Sequence, residues 1–286
     1  MTPFAHSAEL DTAITDNVRA ALTEDVGPGD ISAALIDPSR QARAHVVSRE
    51  SGVFCGLGWV QETCAQVDPQ ISLEFHVADG DNIQPDQRLF TINGPARGLL
   101  TAERTLLNFV GILSGTATAT RRYVDLISGT GARLLDTRKT IPGLRLGQKY
   151  AVYCGGGSNH RFGLFDAFLI KENHLVAAGG VSAAVGAAQR KYPESRVEVE
   201  VETLDQLKQA IDAGADIALI DNFSVADTHA AVAVAGHHIE LESSGGIDEK
   251  TITDIAATGV NYISVGTITK QVSPLDLSMR FTGEIK

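Results

Sequence analysis

Cysteine is scarce in this chain, and what there is does not pair. Cys55, Cys64 and Cys154 are odd in number and form no Cys-x-x-Cys. A disulfide framework and a cysteine metal site are therefore not expected, whereas buried free thiols in a reducing compartment are. Proline is sparse too, 9 in 286 residues, and with 43% hydrophobic residues this describes a globular protein. No apolar run approaches the roughly 18 residues that a membrane span requires. The opening Met1-Thr2-Pro3-Phe4-Ala5-His6 has neither a basic n-region nor an apolar h-region, so no secretory leader is expected. Basic residues are in deficit: 24 Lys and Arg face 35 Asp and Glu, for a formal net charge of −11. That balance argues against nucleic acid or an anionic membrane as the main partner. The expectation is a cytoplasmic enzyme.

What the chain does have is a cationic window. Between Asp136 and His174 lie six basic residues (Arg138, Lys139, Arg145, Lys149, Arg161 and Lys171) and three acids (Asp136, Asp166 and Glu172). An acidic chain that gathers its cations in one stretch aims them at an anion, because a cleft focuses field locally whatever the net charge. Two short apolar runs, 133–135 and 167–170, read as buried parallel strands. Arg138, Lys139 and Lys171 come just after them, at the carboxyl ends, which in an α/β barrel form the catalytic face. Taken singly, each cation is as well explained by a solvated loop. The three together, with His160-Arg161 between them, are not.

Upstream, Leu10, Ile14, Val18 and Leu22 recur every four residues, predicting an amphipathic helix that ends near Gly27-Pro28-Gly29. Alternating segments at 42–47 and 71–77 surround a short helix holding Trp59, and 88–92 adds a strand. This mixture lacks a regular βα beat, so residues 1–115 are expected to form a separate mixed α/β domain. Gly94-Pro95 punctuates the chain before a long helix at about 99–127, where Gly111 and Ser114-Gly115 allow close packing or a kink. From Arg133 onward the beat is regular. Apolar runs end at Leu135, Ile170, Val201, Ile220, Leu241 and Val265, with helices such as 204–213 and 224–235 filling the gaps. Six strands over residues 116–274 make an α/β unit that is too small for a complete eight-stranded barrel.

The succession Asp136-Thr137-Arg138-Lys139-Thr140, Pro142-Gly143-Leu144-Arg145, Lys149-Tyr150-Ala151-Val152, Gly155-Gly156-Gly157, Asn159-His160-Arg161 and Ile170-Lys171-Glu172-Asn173-His174 resembles the quinolinate phosphoribosyltransferase family. Leu22-Thr23-Glu24-Asp25 and Glu103-Arg104-Thr105-Leu106-Leu107-Asn108 are similar to further parts of that family, so the likeness covers nearly the whole chain. It departs at Lys270-Gln271, where many members carry His-Ser. The resemblance implies an incomplete α/β barrel of six or seven strands, with the tail 275–286 returning to the N-terminal domain. It implies phosphoribosyl transfer from phosphoribosyl pyrophosphate to quinolinate with decarboxylation, giving nicotinate mononucleotide, pyrophosphate and carbon dioxide for NAD biosynthesis. It further implies a homodimer, with assembly beyond the dimer left open. The alternatives are a same-fold relative with another substrate, of the molybdate-operon type, and a phosphosugar-binding regulatory module without turnover.

Each substrate makes demands on the residues. Quinolinate is a planar dianion and suits forked cations. By the resemblance Arg138, His160, Arg161 and Lys171 bind it, joined by Arg104 from the neighbouring subunit. His160 on its own reads equally as a core histidine held by the backbone. Ser243-Ser244-Gly245-Gly246 and Gly266-Thr267 follow the last two strands, where free N–H groups can wrap a phosphate. Helix caps at Ser244 and Asp248 are the plainer account of the first loop. Lys139, with Lys270 as a further candidate, would hold the pyrophosphate.

Glu198, Glu200 and Glu202 alternate with valines and so share one face of a strand, where at least one needs a cation or metal. Glu200 and Asp221 match the family's acidic pair near the ribose. Carboxylates there answer a developing oxocarbenium and suit Mg²⁺. Glu198 and Glu202 read as structural ion-pair partners. No covalent nucleophile with its base is legible. Because the pyridinium ring can itself accept electrons, no organic cofactor is expected.

Overall fold

A computed structural model describes residues 7–282; the opening hexapeptide and the last four residues of the expected tail lie outside them. In chain order the elements are α1 (Ala8–Val26), β1 (Gln41–Ser48), β2 (Gly52–Val53), α2 (Leu57–Val67), β3 (Ser72–Phe75), β4 (Asn82–Ile83), β5 (Arg88–Pro95) and α3 (Ala96–Leu126). Then come β6 (Arg133–Leu135), α4 (Arg145–Cys154), β7 (Phe168–Ile170), α5 (Glu172–Ala178), α6 (Val181–Lys191) and β8 (Val197–Val201). The chain closes with α7 (Leu204–Asp212), β9 (Ile217–Asp221), α8 (Val225–Ala235), β10 (Glu240–Ser244), α9 (Ile252–Ala256), β11 (Tyr262–Ser264), α10 (Thr267–Lys270) and β12 (Leu277–Phe281). Among the described residues no helix is long and apolar enough to cross a membrane.

These elements fall into two compact units. The first takes the described residues up to Arg121, then Thr140–Gly156, then those from Thr269 on; the second takes Arg122–Lys139 and Gly157–Ile268. The division read from sequence at 115/116 assigns residues 140–156 to the second domain, whereas in the structure they group with the first.

The first unit is built on an antiparallel sheet ordered β12-β1-β5-β3. The tail does return: β12 pairs with β1, Ala44 opposite Phe281 and Ser48 opposite Leu277. Phe54, Phe90, Leu99 and Leu106 pack in its core. α1 begins where the Ser7 hydroxyl accepts the Leu10 N–H, and it buries Leu10 and Val18. They join a second cluster around Trp59, whose ring lies 6.0 Å from that of Tyr150. The glycines of α3 serve close packing, as expected. A Cβ at Gly115 would lie 3.0 Å from the Ser273 carbonyl carbon, closer still to its oxygen, so the returning tail crosses α3 only where no side chain stands.

In the second unit six parallel strands form one sheet, ordered β6-β11-β10-β9-β8-β7. All six apolar runs are strands. The first strand, β6, lies beside the last, β11, as in a barrel, while β6 and β7 end the row without pairing to each other. A single parallel bridge from Leu135 to Ser158 extends the β6 side. Consecutive strands β7 to β11 are adjacent because each is followed by a helix that carries the chain back to the next start. Apolar strand residues fill the sheet: Val197, Val199 and Val201 of β8 and Ala218, Leu219 and Ile220 of β9 are buried. The sheet's carboxyl ends consequently converge on one face, and the polar residues after each strand meet there.

Candidate active site

At that face a cavity of about 310 Å³ is lined by Thr137, Arg138, Lys139, His160, Arg161 and Lys171, together with Leu169, Leu219, Glu242, Ser244 and Ser264. A neighbouring groove of about 380 Å³ shares Arg161, but Leu164, Phe168, Ala184 and other apolar side chains make most of its wall and no acid lines it. Only the first combines cations, acids and hydroxyls.

The loop between α4 and β7 is fixed from below by one buried carboxylate. Asp136, fully buried at the end of β6, accepts from the Asn159 amide at 2.6 Å and from the His160 N–H at 2.9 Å. This explains why Asp136 and Asn159 both belong to the cationic window although neither is a cation. The clamp leaves His160 and Arg161 facing the cavity. The Arg161 N–H donates to His160 Nδ1 at 2.6 Å, so His160 offers an N–H at Nε2. That nitrogen sits 3.1 Å from Glu198 and 3.5 Å from Glu242. Both readings of His160 thus hold part of the truth: it lines the cavity, and it is also tied to the backbone.

Arg161 carries an electrostatic strain. Burial and the neighbouring Arg138 guanidinium push its pKa down, offset by Glu198 and Asp166. Two guanidiniums set side by side in a partly buried wall are a standing demand for an anion. Lys171 ends β7 and caps α5, its N–H donating to His174 Nδ1 at 3.0 Å. The His174 of the window is thus a local cap on α5. The Lys171 ammonium pairs with Glu200 at the end of β8. Next to it, burial and the Glu200 charge raise the Asp221 carboxyl, while Lys171 and Lys139 pull it down. Glu200, Asp221, Lys139 and Lys171 therefore form one charged group at the mouth.

The late loops hold tight backbone. Gly245 and Gly246 have φ of 97° and 62°. A Cβ at Gly245 would lie 2.6 Å from Asn222 Cγ and 2.8 Å from its backbone nitrogen, so both conformation and space exclude a side chain. Ser244 reaches the cavity wall directly. Gly266 lies under the Lys139 side chain, and the Thr267 hydroxyl is 3.5 Å from Tyr123 Oη.

Of the residues singled out in sequence, Arg138, Lys139, His160, Arg161, Lys171 and Ser244 line one cavity. Glu200 and Asp221 join them through the mouth cluster. Arg104 is exposed on α3 in the first unit. Arg145 and Lys149 also belong to that unit, where Lys149 is fully buried, so the six-cation window does not act as a single patch. Lys270 is exposed at the end of α10 and does not line the cavity. Sequence reasoning missed Glu242 altogether. Its one signal was an acid inside an apolar strand, two residues before the Ser244 loop.

This geometry can be set beside known proteins. Residues 116–280 match the quinolinate phosphoribosyl transferase C-terminal domain, and residues 30–114 match the N-terminal domain of the same enzyme. The chain belongs to the quinolinate phosphoribosyltransferase family. The nicotinate-nucleotide pyrophosphorylase [carboxylating] of Mycobacterium leprae is 43% identical over 279 residues, covering 95% of this chain and 98% of that protein. The probable enzyme of the same name from Bacillus subtilis is 39% identical over 260 residues, covering 91% of this chain and 90% of that one. Among solved structures, the nicotinate-nucleotide pyrophosphorylase of Francisella tularensis superposes with a TM-score of 0.95 at 46% identity, over 99% of this chain and 100% of that one. The α/β fold with its incomplete barrel is the fold of this family, as the sequence implied.

Proposed function

We propose that this chain transfers the phosphoribosyl group of phosphoribosyl pyrophosphate to quinolinate and decarboxylates the adduct, releasing pyrophosphate, carbon dioxide and nicotinate mononucleotide in NAD biosynthesis. The observation that carries the reading is the wall made by Arg138 and Arg161, two guanidiniums whose mutual repulsion an aromatic dianion relieves. They bind the quinolinate carboxylates and orient the ring nitrogen, with His160 and Lys171 completing the pocket. Backbone N–H groups of the Ser244-Gly245-Gly246 and Gly266-Thr267 loops receive the donor's 5′-phosphate, and Lys139 holds the pyrophosphate. As the bond from C1′ to pyrophosphate loosens, Glu200 and Asp221 stabilise the positive charge on the ribose.

The same two carboxylates fit Mg²⁺: Glu200 lies one residue before the end of β8 and Asp221 ends β9, and burial together with the Glu200 charge raises Asp221. Bound there, the ion would neutralise charge on the leaving pyrophosphate. No organic cofactor enters the reaction. The working unit is a cytoplasmic homodimer in which Arg104 completes the neighbour's site. A relative specialised for another substrate would lack part of the cation set, which is complete here.

The deciding assay supplies quinolinate, phosphoribosyl pyrophosphate and Mg²⁺ and follows nicotinate mononucleotide, with nicotinate and nicotinamide as controls. Product from quinolinate alone is expected; turnover of either control, or of none of the three, refutes the reading. For the dimer, inactive Arg104→Ala and Lys171→Ala proteins are mixed. With random exchange about half the dimers are hybrids with one whole site in two, so activity recovers to roughly a quarter of wild type. Hybrids seen by mass spectrometry without recovery would confine Arg104 to its own chain.

A further inference from the structure

Beneath the cations the cavity floor holds a carboxyl that neither ligand binding nor ribosyl transfer uses. The Glu242 side chain is 1% exposed and that of Glu198 6%. Their Oε1 atoms are buried without a hydrogen-bond partner, yet the two carboxyls lie within hydrogen-bond reach of each other. His160 Nε2 covers both, and its Nδ1 already accepts from the Arg161 N–H, so the imidazole gives the pair one N–H and has no free nitrogen to take a proton from them. Two buried carboxylates in contact do not both ionise, and one proton stays on the pair.

Burial first, and then the Glu198 charge, push Glu242 up to about 8, against the opposing pull of His160 and the Ser264 hydroxyl. The groups facing Glu242 are thus Glu198 from β8, His160 from the loop before β7 and Ser264 from β11. Arg138, Lys139, Arg161 and Lys171 line the rest of the cavity, and Asp221 stands at the end of β9.

Resting on the function proposed above, we propose that Glu242 is a catalytic acid that protonates the ring carbon vacated by carbon dioxide. Once the ring nitrogen carries the ribosyl group, the bond from C2 to its carboxylate breaks and the electron pair stays on C2. The positive nitrogen beside it stabilises that pair, which can still recapture the carbon dioxide held in the cavity. The Glu242 O–H bond breaks and its proton joins C2, which makes the loss of carbon dioxide irreversible and leaves Glu242 as a carboxylate. Solvent returns the proton after product departs, which balances the one proton that C2 takes up. Among the described residues that line this cavity Glu242 is the one carboxylic acid, and burial with the Glu198 charge keeps its proton on.

The test is a single-turnover rapid quench with quinolinate, phosphoribosyl pyrophosphate and Mg²⁺, timing pyrophosphate release against carbon dioxide release. In wild type the two should keep step at pH 7, and carbon dioxide should fall behind as pH rises past about 8. Glu242→Gln should delay carbon dioxide relative to pyrophosphate by roughly 10²- to 10⁴-fold, accumulate the undecarboxylated nucleotide and abolish the alkaline dependence. Glu242→Asp, which keeps an acid, should recover part of the loss. Carbon dioxide and pyrophosphate released in step by wild type at every pH overturn the proposal while leaving the proposed function intact. An equal slowing of both products in Glu242→Gln likewise overturns it, by assigning Glu242 a structural role. If Glu242→Gln does not fold, the wild-type pH series decides. Wild type that makes no nicotinate mononucleotide overturns both.

Discussion

Two pairs of carboxylates lie in one sheet only a short step apart, and they meet different partners. Glu200 and Asp221 end their strands at the cavity mouth, where Lys171 and Lys139 reach them. Glu198 and Glu242 sit lower, against each other and one imidazole. On β8 the difference is two residues. At the mouth Lys171 pairs with Glu200, and Lys171 and Lys139 oppose the rise that burial and the Glu200 charge impose on Asp221. At the floor Glu198 and Glu242 face each other beneath one imidazole and the Ser264 hydroxyl, and the cheapest way to hold a second carboxyl is to leave its proton on. Depth along a strand decides whether an acid meets lysines or another acid.

The comparison breaks first at the mouth. Asp221→Asn keeps shape and removes charge, so kcat should fall by on the order of 10²-fold or more while calorimetric quinolinate affinity is nearly kept. An unchanged kcat would move the acidic role elsewhere. Next comes the wall between mouth and floor. Arg161→Ala removes a charge-assisted contact worth about 1.5–3 kcal/mol, hence roughly 10- to 150-fold in quinolinate affinity, with donor affinity much less affected. Equal losses for both ligands would count against its role.

The floor is tested by stability. Glu242 titrates near 8 folded against an ordinary 4.5, so its contribution is full below about 4.5 and is lost as pH rises through about 8. Wild type should therefore lose stability relative to Glu242→Gln over that window, by on the order of a few kcal/mol, in denaturant titrations at each pH. Parallel curves would mean that the carboxyl is not held protonated. The smallest effect sharpens the contrast. Glu198→Gln removes the charge that helps raise Glu242, so the alkaline fall in carbon dioxide release should move to lower pH.

Much of this was legible before any coordinates. Strand ends at Leu135, Ile170, Val201, Ile220, Leu241 and Val265 stood out because buried parallel strands are short apolar runs, and the cations after them fell where barrels keep their sites. Glu200 and Asp221 stood out through the likeness to the family's acidic pair, and both lie at or next to a strand end. Glu242 was not, because nothing local marks its depth. Its partner Glu198 stands two strands away, across β9, and barrel interiors are layered by side chains from alternate strands. The destination of residues 140–156 was illegible for a similar reason: α4 has the amphipathic look of a barrel helix, and only its packing assigns it to the first unit.

The pairing of β12 with β1 bears on the order of assembly. A chain leaves the ribosome amino end first, so although β1 can pair with β5 early, its other edge stays uncovered until Phe281 meets Ala44. Every strand of the parallel sheet has emerged by Ser264. The half that carries the acids and cations is thus the first that can close during synthesis, and the half begun first is the last to be finished.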